Sequence, residues 1–208
     1  MFDLLLAGGP FMFGTLAVSI VTVAIFFMRV FYLWGRRSPD HLLYEKVSAL
    51  LEENRVSEAL RTCAATNSPL AKIVKAALQR ANRSEKEIRR AVESVAIEEI
   101  PRVRGSTVFL PQLSNLATLL GLIGTIHGLI IAFKGAGSES AAMRQEVLSR
   151  GIAIAFYNTF FGLTVATIGI VFYLVLLQKT NSSLNLLERA SANIIDTLLW
   201  SREGRKAG

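Results

Sequence analysis

The sequence predicts an all-α, polytopic membrane protein with three transmembrane helices and long helices that extend into the cytoplasm. Asp, Glu, Lys and Arg are absent from three runs, residues 4–28, 105–133 and 151–178. Each run exceeds the ~20 residues that a helix needs to cross a bilayer. Elsewhere apolar residues recur at helical spacing, and no segment alternates as a strand would. Three such runs in 208 residues leave too little polar sequence to cover them, which excludes an ordinary soluble fold.

The first element, residues 1–34, is predicted to be an external N-terminus followed by a transmembrane helix from Pro10 to Trp34. A secretory signal peptide carries basic residues ahead of its apolar core. Here only Asp3 precedes the core. We therefore expect this helix to be retained in the membrane.

Residues 35–106 are predicted to form a cytoplasmic domain of four amphipathic helices. Ser84, followed by Glu87 three residues later, is a capping box that predicts the start of the fourth helix. Glu85 and Arg89 are spaced to pair along the surface of that helix. The apolar stripes that these helices should bury consist of Leu42, Leu43, Val47, Leu50 and Leu51; Val56, Ala59, Leu60 and Cys63; Leu70, Ile73, Val74, Ala77, Leu78 and Ala81; and Ile88, Ala91, Val92, Val95 and Ile100.

The remaining chain is predicted to form four segments. In order, these are the second transmembrane helix (107–133, helical from Val108 to Phe133), an external loop (134–150), the third transmembrane helix (151–178, helical from Ile152 to Leu177) and a cytoplasmic C-terminal helix (179–208, helical from Leu184 to Trp200). Pro101 and Pro111 are expected to kink the approach to the second membrane helix.

Basic residues near the membrane predict the orientation. The segment after the first helix carries 14 Lys and Arg against 10 Asp and Glu, the loop at 134–150 carries three against two, and the tail from Lys179 carries five against three. The long segment and the tail are therefore expected to be cytoplasmic, with the N-terminus outside. The basic residues alternate with acids, which argues against nucleic-acid binding. The single cysteine, Cys63, is expected on a cytoplasmic surface and excludes an intrachain disulfide.

Small residues form a stripe on each of the last two membrane helices, as close helix packing in lipid requires. The packing candidates are Gly121, Gly124, Gly128, Ala155, Gly162, Ala166 and Gly169. Beside them lie polar residues that are candidates to line a shared passage, namely Thr125, Thr159, Thr118 and Asn158. The alternative for each threonine is that it only bonds a carbonyl of its own helix.

Two of these stretches resemble the MotA/TolQ/ExbB family. Residues 120–128 read Leu-Gly-Leu-Ile-Gly-Thr-Ile-His-Gly and resemble the Gly-Leu-Leu-Gly-Thr-Val-x-Gly motif of ExbB and TolQ. Residues 151–153, followed by Asn-Thr-Phe-Phe-Gly-Leu at 158–163, resemble the motif of their third helix. Three helices with a large loop after the first are similar to the ExbB/TolQ branch rather than to the four-helix MotA branch.

The resemblance implies a homopentameric ring around a single-span ExbD/TolR-like partner whose membrane aspartate binds the driving ion. It places Thr125 and Thr159 on the threonines that face the central pore. The transported ion is expected to be a proton, with sodium left open, and no other cofactor or metal is expected. The expected location is the inner membrane of a Gram-negative-type bacterium.

The chain departs from the family pattern at three positions. Ile154 stands where relatives have a glutamate, His127 where they often have tryptophan, and Thr118 where a proline is common. His127 is a candidate proton relay, although neutral packing or an interface contact is favoured because it lies about 200° around the helix from Thr125.

The predicted function is the channel or stator subunit of an ion-driven motor that exerts force or rotation on its partner. The loss of the glutamate at Ile154 motivates an alternative, a ring-shaped membrane scaffold that does not conduct. An enzyme is not expected, because the sequence shows no nucleophile–base pair, metal-ligand cluster or phosphate loop. Nutrient uptake, envelope maintenance and gliding remain open as the process that is powered.

Overall fold

The computed structural model describes residues 8–35, 39–53, 55–135, 137 and 140–204. Those ranges contain no strand, and the all-α prediction is confirmed. The predicted N-terminal residues 1–7 and the last residues of the tail, 205–208, lie outside them. The α-helices of the described ranges are α1 (Pro10–Gly35), α2 (Pro39–Glu52), α3 (Val56–Ala65), α4 (Pro69–Leu78), α5 (Glu85–Arg104), α6 (Leu110–Gly135) and α7 (Ala141–Gly204).

Three helical stretches are long and apolar enough to cross a membrane, as predicted. They include α1, α6 and α7. A 3₁₀ helix over Gly105–Phe109 separates α5 from α6. α6 therefore begins two residues later than expected. Pro111 is the second residue of α6, where a missing N–H costs nothing, so it marks the start of the helix rather than a kink. Pro101 lies inside α5.

α7 differs most from its predicted bounds. It begins at Ala141 instead of Ile152 and runs without a break to Gly204. The predicted helix over Leu184–Trp200 is thus the continuation of the third membrane helix. The charge-free window marks the part of a helix that can lie in lipid, whereas backbone hydrogen bonding continues through any flanking segment that lacks Pro and Gly. Hydropathy therefore located the span and not the ends of the helix.

The chain divides into two compact units. The membrane unit consists of the described residues up to Arg29 together with 106–176, and the polar unit consists of 30–105 together with the residues from Leu177 onward. The polar unit buries most of the predicted apolar stripes in one core with the last part of α7, whereas Leu42 of the first stripe is 51% exposed. Its buried members are Leu43, Val47, Leu51, Ala59, Cys63, Leu70, Ala71, Ile73, Val74, Ala77, Leu78, Ile88, Val92, Val103, Leu184, Leu187, Ala190, Ile194, Ile195 and Leu198.

Cys63 belongs to this core and not to the expected surface. Its exposed fraction is 3%, and burial raises the pKa of its thiol to about 11. The residue sits on the apolar face of α3, one turn after Ala59. Small thiols pack as apolar groups, so the periodicity of α3 was a better guide than the polarity of the domain.

The polar contacts predicted for α5 are present. The Ser84 backbone N–H donates to Glu87 Oε2 at 3.1 Å, and the Ser84 hydroxyl donates to the same oxygen at 2.8 Å. Arg89 Nε donates to Glu85 Oε1 at 2.7 Å. Both contacts fasten the first turns of α5, where the helix begins after the turn that follows α4.

Glu99 is a buried carboxylate that the sequence did not reveal. It lies in α5 with an exposed fraction of 4%. Lys72 Nζ of α4 donates to Glu99 Oε1 at 2.9 Å, and Arg102 Nη1 donates to the same oxygen. A buried charge requires such partners, and the pair joins α4 to α5.

Candidate functional site

α6 and α7 approach each other through glycines. A methyl group added at Gly162 would lie 2.8 Å from the Ala117 carbonyl oxygen and 2.9 Å from the Gly121 Cα. One added at Gly128 would lie 2.5 Å from the Ala155 nitrogen and 2.7 Å from the Gly151 carbonyl oxygen. Those positions are occupied by backbone, which cannot move aside as a flexible side chain does. The two helices are therefore in backbone contact.

The contacts also define the direction of the two helices. Residues later in α6 meet residues earlier in α7: Gly128 lies against Ala155, and Gly121 lies against Gly162. The helices are thus antiparallel. The packing candidates named above, Gly121, Gly124, Gly128, Ala155, Gly162, Ala166 and Gly169, are all buried. Gly169 lies beside Ser114 and Thr22, which extends the contact toward α1.

Thr125 and Thr159 occupy one level on one edge of this helix pair. Gly124 of α6 lies against Asn158 of α7, and each is followed by one of the threonines. One residue rotates a side chain by about 100° around a helix. In an antiparallel pair the two rotations lead to the same edge of the interface. Both threonines are half-buried, as expected at an edge.

Each hydroxyl at this edge already donates to its own helix. Thr125 Oγ1 donates to the Leu122 carbonyl at 2.6 Å, and Thr159 Oγ1 donates to the Ala155 carbonyl at 3.2 Å. Thr118, two turns or about 10 Å before Thr125 on the same face of α6, donates to Ser114 in the same way. The hydroxyl oxygens retain lone pairs, so the edge offers acceptors rather than donors to a neighbouring group.

α1 covers the opposite edge of the pair. The Phe26 and Phe172 rings stack at 3.8 Å between centroids, and the Phe11 and His127 rings lie 5.3 Å apart. His127 is two residues from Thr125, so its side chain points about 200° away from that threonine. The structure thus places the candidate relay against α1 and apart from the threonine edge. His127 Nδ1 is buried and makes no hydrogen bond within the described residues.

Asn158 does not lie where a pore-lining residue should. Its exposed fraction is 1%. Its Nδ2 donates to the Gly8 carbonyl at 2.7 Å and to the Ile154 carbonyl at 2.9 Å. The side chain is enclosed by α6 and by the segment before α1, so it cannot face a passage at the surface of the chain. It lies in the α6–α7 contact itself, against Gly124, whereas Thr159 lies one helical step away at the edge. The family motif places the two residues side by side in sequence and does not show this difference.

Arg29 is a buried charged residue of the membrane unit that was not among the site residues predicted from the sequence. It is 5% exposed at the end of the charge-free run of α1, and its Nε donates to Thr107 Oγ1 at 3.0 Å. A buried guanidinium in the membrane unit requires such acceptors. Its position as the first charge after an apolar run was the available signal.

Comparison with known proteins identifies a family whose profile covers both helices of this site. The sequence profile described as the MotA/TolQ/ExbB proton channel family matches residues 65–189, a stretch that includes Thr125, Asn158 and Thr159. A putative biopolymer transport protein ExbB homolog of Methanothermobacter thermautotrophicus is 30% identical over 144 residues, which cover 68% of this chain and 50% of that protein. This chain therefore spans about half the length of that relative.

Two further relatives extend the comparison. The putative biopolymer transport protein ExbB-like 1 of Synechocystis sp. is 29% identical over 193 residues, covering 88% of this chain and 73% of the relative. The biopolymer transport protein exbB1 of Vibrio cholerae is 39% identical over 57 residues, covering 27% of this chain and 25% of the relative.

Proposed function

Because this chain belongs to the MotA/TolQ/ExbB proton channel family, we propose that it is the channel or stator subunit of an ion-driven motor in an inner membrane. In this proposal five copies form a ring around a single-span ExbD/TolR-like partner. Ion flow, with a proton as the expected ion, then exerts force or rotation on that partner. The electrical work available is about 2.3 kcal/mol per charge for every 100 mV.

The proposal rests on one observation: Thr125 and Thr159 lie at the same height along the α6–α7 pair. Both lie on the edge of the α6–α7 pair that α1 leaves uncovered, and both oxygens remain able to accept a hydrogen bond. A protonated carboxylic acid can donate a hydrogen bond to these oxygens. The membrane runs of this chain contain no carboxylate, and Ile154 supplies a carbonyl but no acid. The titrating acid of the proposed cycle therefore belongs to the partner helix.

Substitution of the two threonines tests this proposal. The ring is reconstituted in liposomes with its single-span partner, and proton flux is followed under an imposed potential. Thr125→Ser and Thr159→Ser keep the hydroxyl and should retain much of the flux. Thr125→Val and Thr159→Val keep the shape without the oxygen and should abolish flux while the ring still assembles.

Three controls accompany this measurement. The ring alone should show no flux, and replacement of the partner's membrane aspartate by asparagine should remove it. His127→Phe should have a much smaller effect than either valine variant, because His127 packs against Phe11 on the opposite edge. Flux through the ring alone that His127→Phe abolishes would make His127 the relay and overturn the shared pore.

Orientation is the second part of the proposal, with the N-terminus outside and the polar unit in the cytoplasm. Single cysteines at Ser140 and Ser57, both exposed, report it through a membrane-impermeant thiol reagent in intact cells. Ser140→Cys should label and Ser57→Cys should not. Cys63 is replaced by serine in this experiment, and equal labelling at both sites would contradict the orientation.

A non-conducting scaffold is the second candidate function, favoured by Ile154 and by hydroxyls that already donate within their own helices. It predicts normal ring assembly and partner binding with no flux even when the partner is present. The same liposome measurement therefore separates the two functions.

A further inference from the structure

Asn158 is the residue of the membrane unit whose chemistry the proposed pore does not use. The side chain is 1% exposed and reaches across to the segment before α1, where its Nδ2 bonds the Gly8 carbonyl at 2.7 Å. The second Nδ2 bond, to Ile154 at 2.9 Å, holds the amide against its own helix. One carboxamide thereby connects α7 with the start of α1, 150 positions away in sequence.

The other face of the same carboxamide lies over Gly124. A methyl group at Gly124 would come within 2.5 Å of both Asn158 Cβ and Asn158 Oδ1. Asn158 Oδ1 is buried and makes no hydrogen bond within the described residues. The amide therefore occupies the space that the missing side chain of Gly124 leaves, at the cost of one acceptor without a partner.

We propose that Asn158 is a positioning residue that sets the separation of Thr125 from Thr159 by filling the space over Gly124. The inference rests on the proposed function, in which both threonines face one partner helix. Each threonine directly follows one member of the contacting pair, so any change in the distance between Gly124 and Asn158 is passed to the threonines through one rigid helical step. The bond to Gly8 fixes the amide in the orientation that fits.

Gly121 offers a matched comparison on the same helix. A methyl group at Gly121 would lie 3.0 Å from the backbone oxygen of Asn158 and 3.2 Å from the Gly162 Cα. Its neighbours are backbone atoms, so truncating the Asn158 side chain cannot make room for it. At Gly124 the three nearest atoms are Cγ, Cβ and Oδ1 of the Asn158 side chain, so removing that side chain completely, by Asn158→Gly, does make room.

The test measures the threonine separation directly. Thr125→Cys and Thr159→Cys are combined in a Cys63→Ser chain, and the rate of crosslinking by a short bifunctional thiol reagent is recorded in the assembled ring without partner. Gly124→Ala should slow crosslinking by about tenfold, within the range of coupling between residues in contact. Adding Asn158→Gly, which removes Cβ as well as the carboxamide, should restore the rate to within about twofold of the starting pair.

Gly121→Ala should also slow crosslinking, and Asn158→Gly should not restore it, because the Gly121 neighbours are backbone atoms. Asn158→Gly alone, which removes the wedge without a clash, should change the rate. The proposal is overturned if Asn158→Gly alone leaves the rate unchanged, or if the effect of Gly124→Ala is the same with asparagine and with glycine at position 158. Because this readout needs no partner and no ion flux, it stands or falls separately from the channel function.

Discussion

In the membrane unit α6 and α7 meet where side chains are missing, whereas the polar unit holds its helices together with large ones. In the described part of the membrane unit, the buried apolar cluster is Val18, Ala117, Val165 and Ala166. In the polar unit the corresponding cluster is dominated by Leu, Ile and Val, with residues such as Leu70 and Ile88 fully buried.

The difference follows from the surroundings of each unit. Burial of apolar surface from water stabilises a fold by about 25 cal/mol per Å², and the polar unit has water to exclude. Lipid is as apolar as leucine, so helices in a bilayer gain instead from close packing and polar contacts. Large side chains of the membrane unit such as Phe133, Phe156 and Phe160, each at least 70% exposed, therefore need no burial within the chain when lipid or another membrane helix surrounds them. The same residue type therefore has a different meaning in each unit.

The largest effect is expected from a cavity in the polar unit. Leu70 is 0% exposed in its core, and Leu70→Ala should lower the free energy of unfolding by about 2–5 kcal/mol. Labelling of Cys63 in increasing urea measures it, because the buried thiol reacts only when this unit opens. Ile97→Ala is the control: at 75% exposed, it should stay within about 0.5 kcal/mol. Equal losses at both positions would show that this core is not where the unit is stabilised.

The next effect concerns the buried carboxylate Glu99. Removing both bases, by Lys72→Ala with Arg102→Ala, leaves that charge without a partner. The free energy of unfolding should fall by about 2–3 kcal/mol, less than the 3–5 kcal/mol of a fully buried pair, because both bases are half exposed to screening water. Glu99→Gln added to the double variant should recover most of the loss. Cys63 labelling again provides the measurement, and a failure of the glutamine to recover stability would mean that the lysine and arginine stems matter rather than their charges.

Much of this architecture could be predicted from sequence because the two units carry different patterns. Charge-free runs identified three membrane helices, and 3.6-residue periodicity identified the buried faces of α2 to α5. The capping box at Ser84 and the pair of Glu85 with Arg89 followed from local spacing alone. Each of these features depends on residues close together in the chain.

The features that sequence could not supply depend on residues far apart. Asn158 was grouped with the threonines because it is adjacent to one of them, yet its partner Gly8 is 150 positions away. Glu99 showed no sign of burial, since its bond to Lys72 joins two helices. The long continuation of α7 was hidden because hydropathy reports where lipid ends and not where a helix ends.

A methyl group added in the membrane unit should lower stability less than the core cavity does. Its cause is overpacking rather than lost volume. Gly162→Ala adds volume where the Ala117 carbonyl oxygen and the Gly121 Cα already lie within 3 Å of the new atom. Overpacking of this kind costs about 1–3 kcal/mol. Gly14→Ala on α1 is the control, because its methyl would be 3.6 Å from Leu120, an ordinary contact. Thermal stability of the ring in detergent should fall for Gly162→Ala only. If Gly162→Ala leaves the thermal stability unchanged, α6 and α7 are free to separate. The proposed difference between the two units would then be wrong.

The smallest effect is a loss of stability at low pH, which should arise from Glu87 in the polar unit. The hydroxyl and backbone N–H of Ser84 hold the pKa of the Glu87 carboxyl below its ordinary value. A group whose pKa is lowered on folding stabilises the folded state above its unfolded pKa, and that contribution is lost as the pH falls through the folded pKa. The start of α5 should therefore loosen below the ordinary glutamate pKa of about 4.3. Far-UV circular dichroism and Cys63 labelling over that range should show the loss.

Glu87→Gln retains a carbonyl oxygen as acceptor but cannot titrate, so the acid-dependent difference between the two chains isolates this residue from the other carboxylates. If the wild-type chain and Glu87→Gln lose stability in parallel on acidification, the capping box contributes nothing that depends on charge.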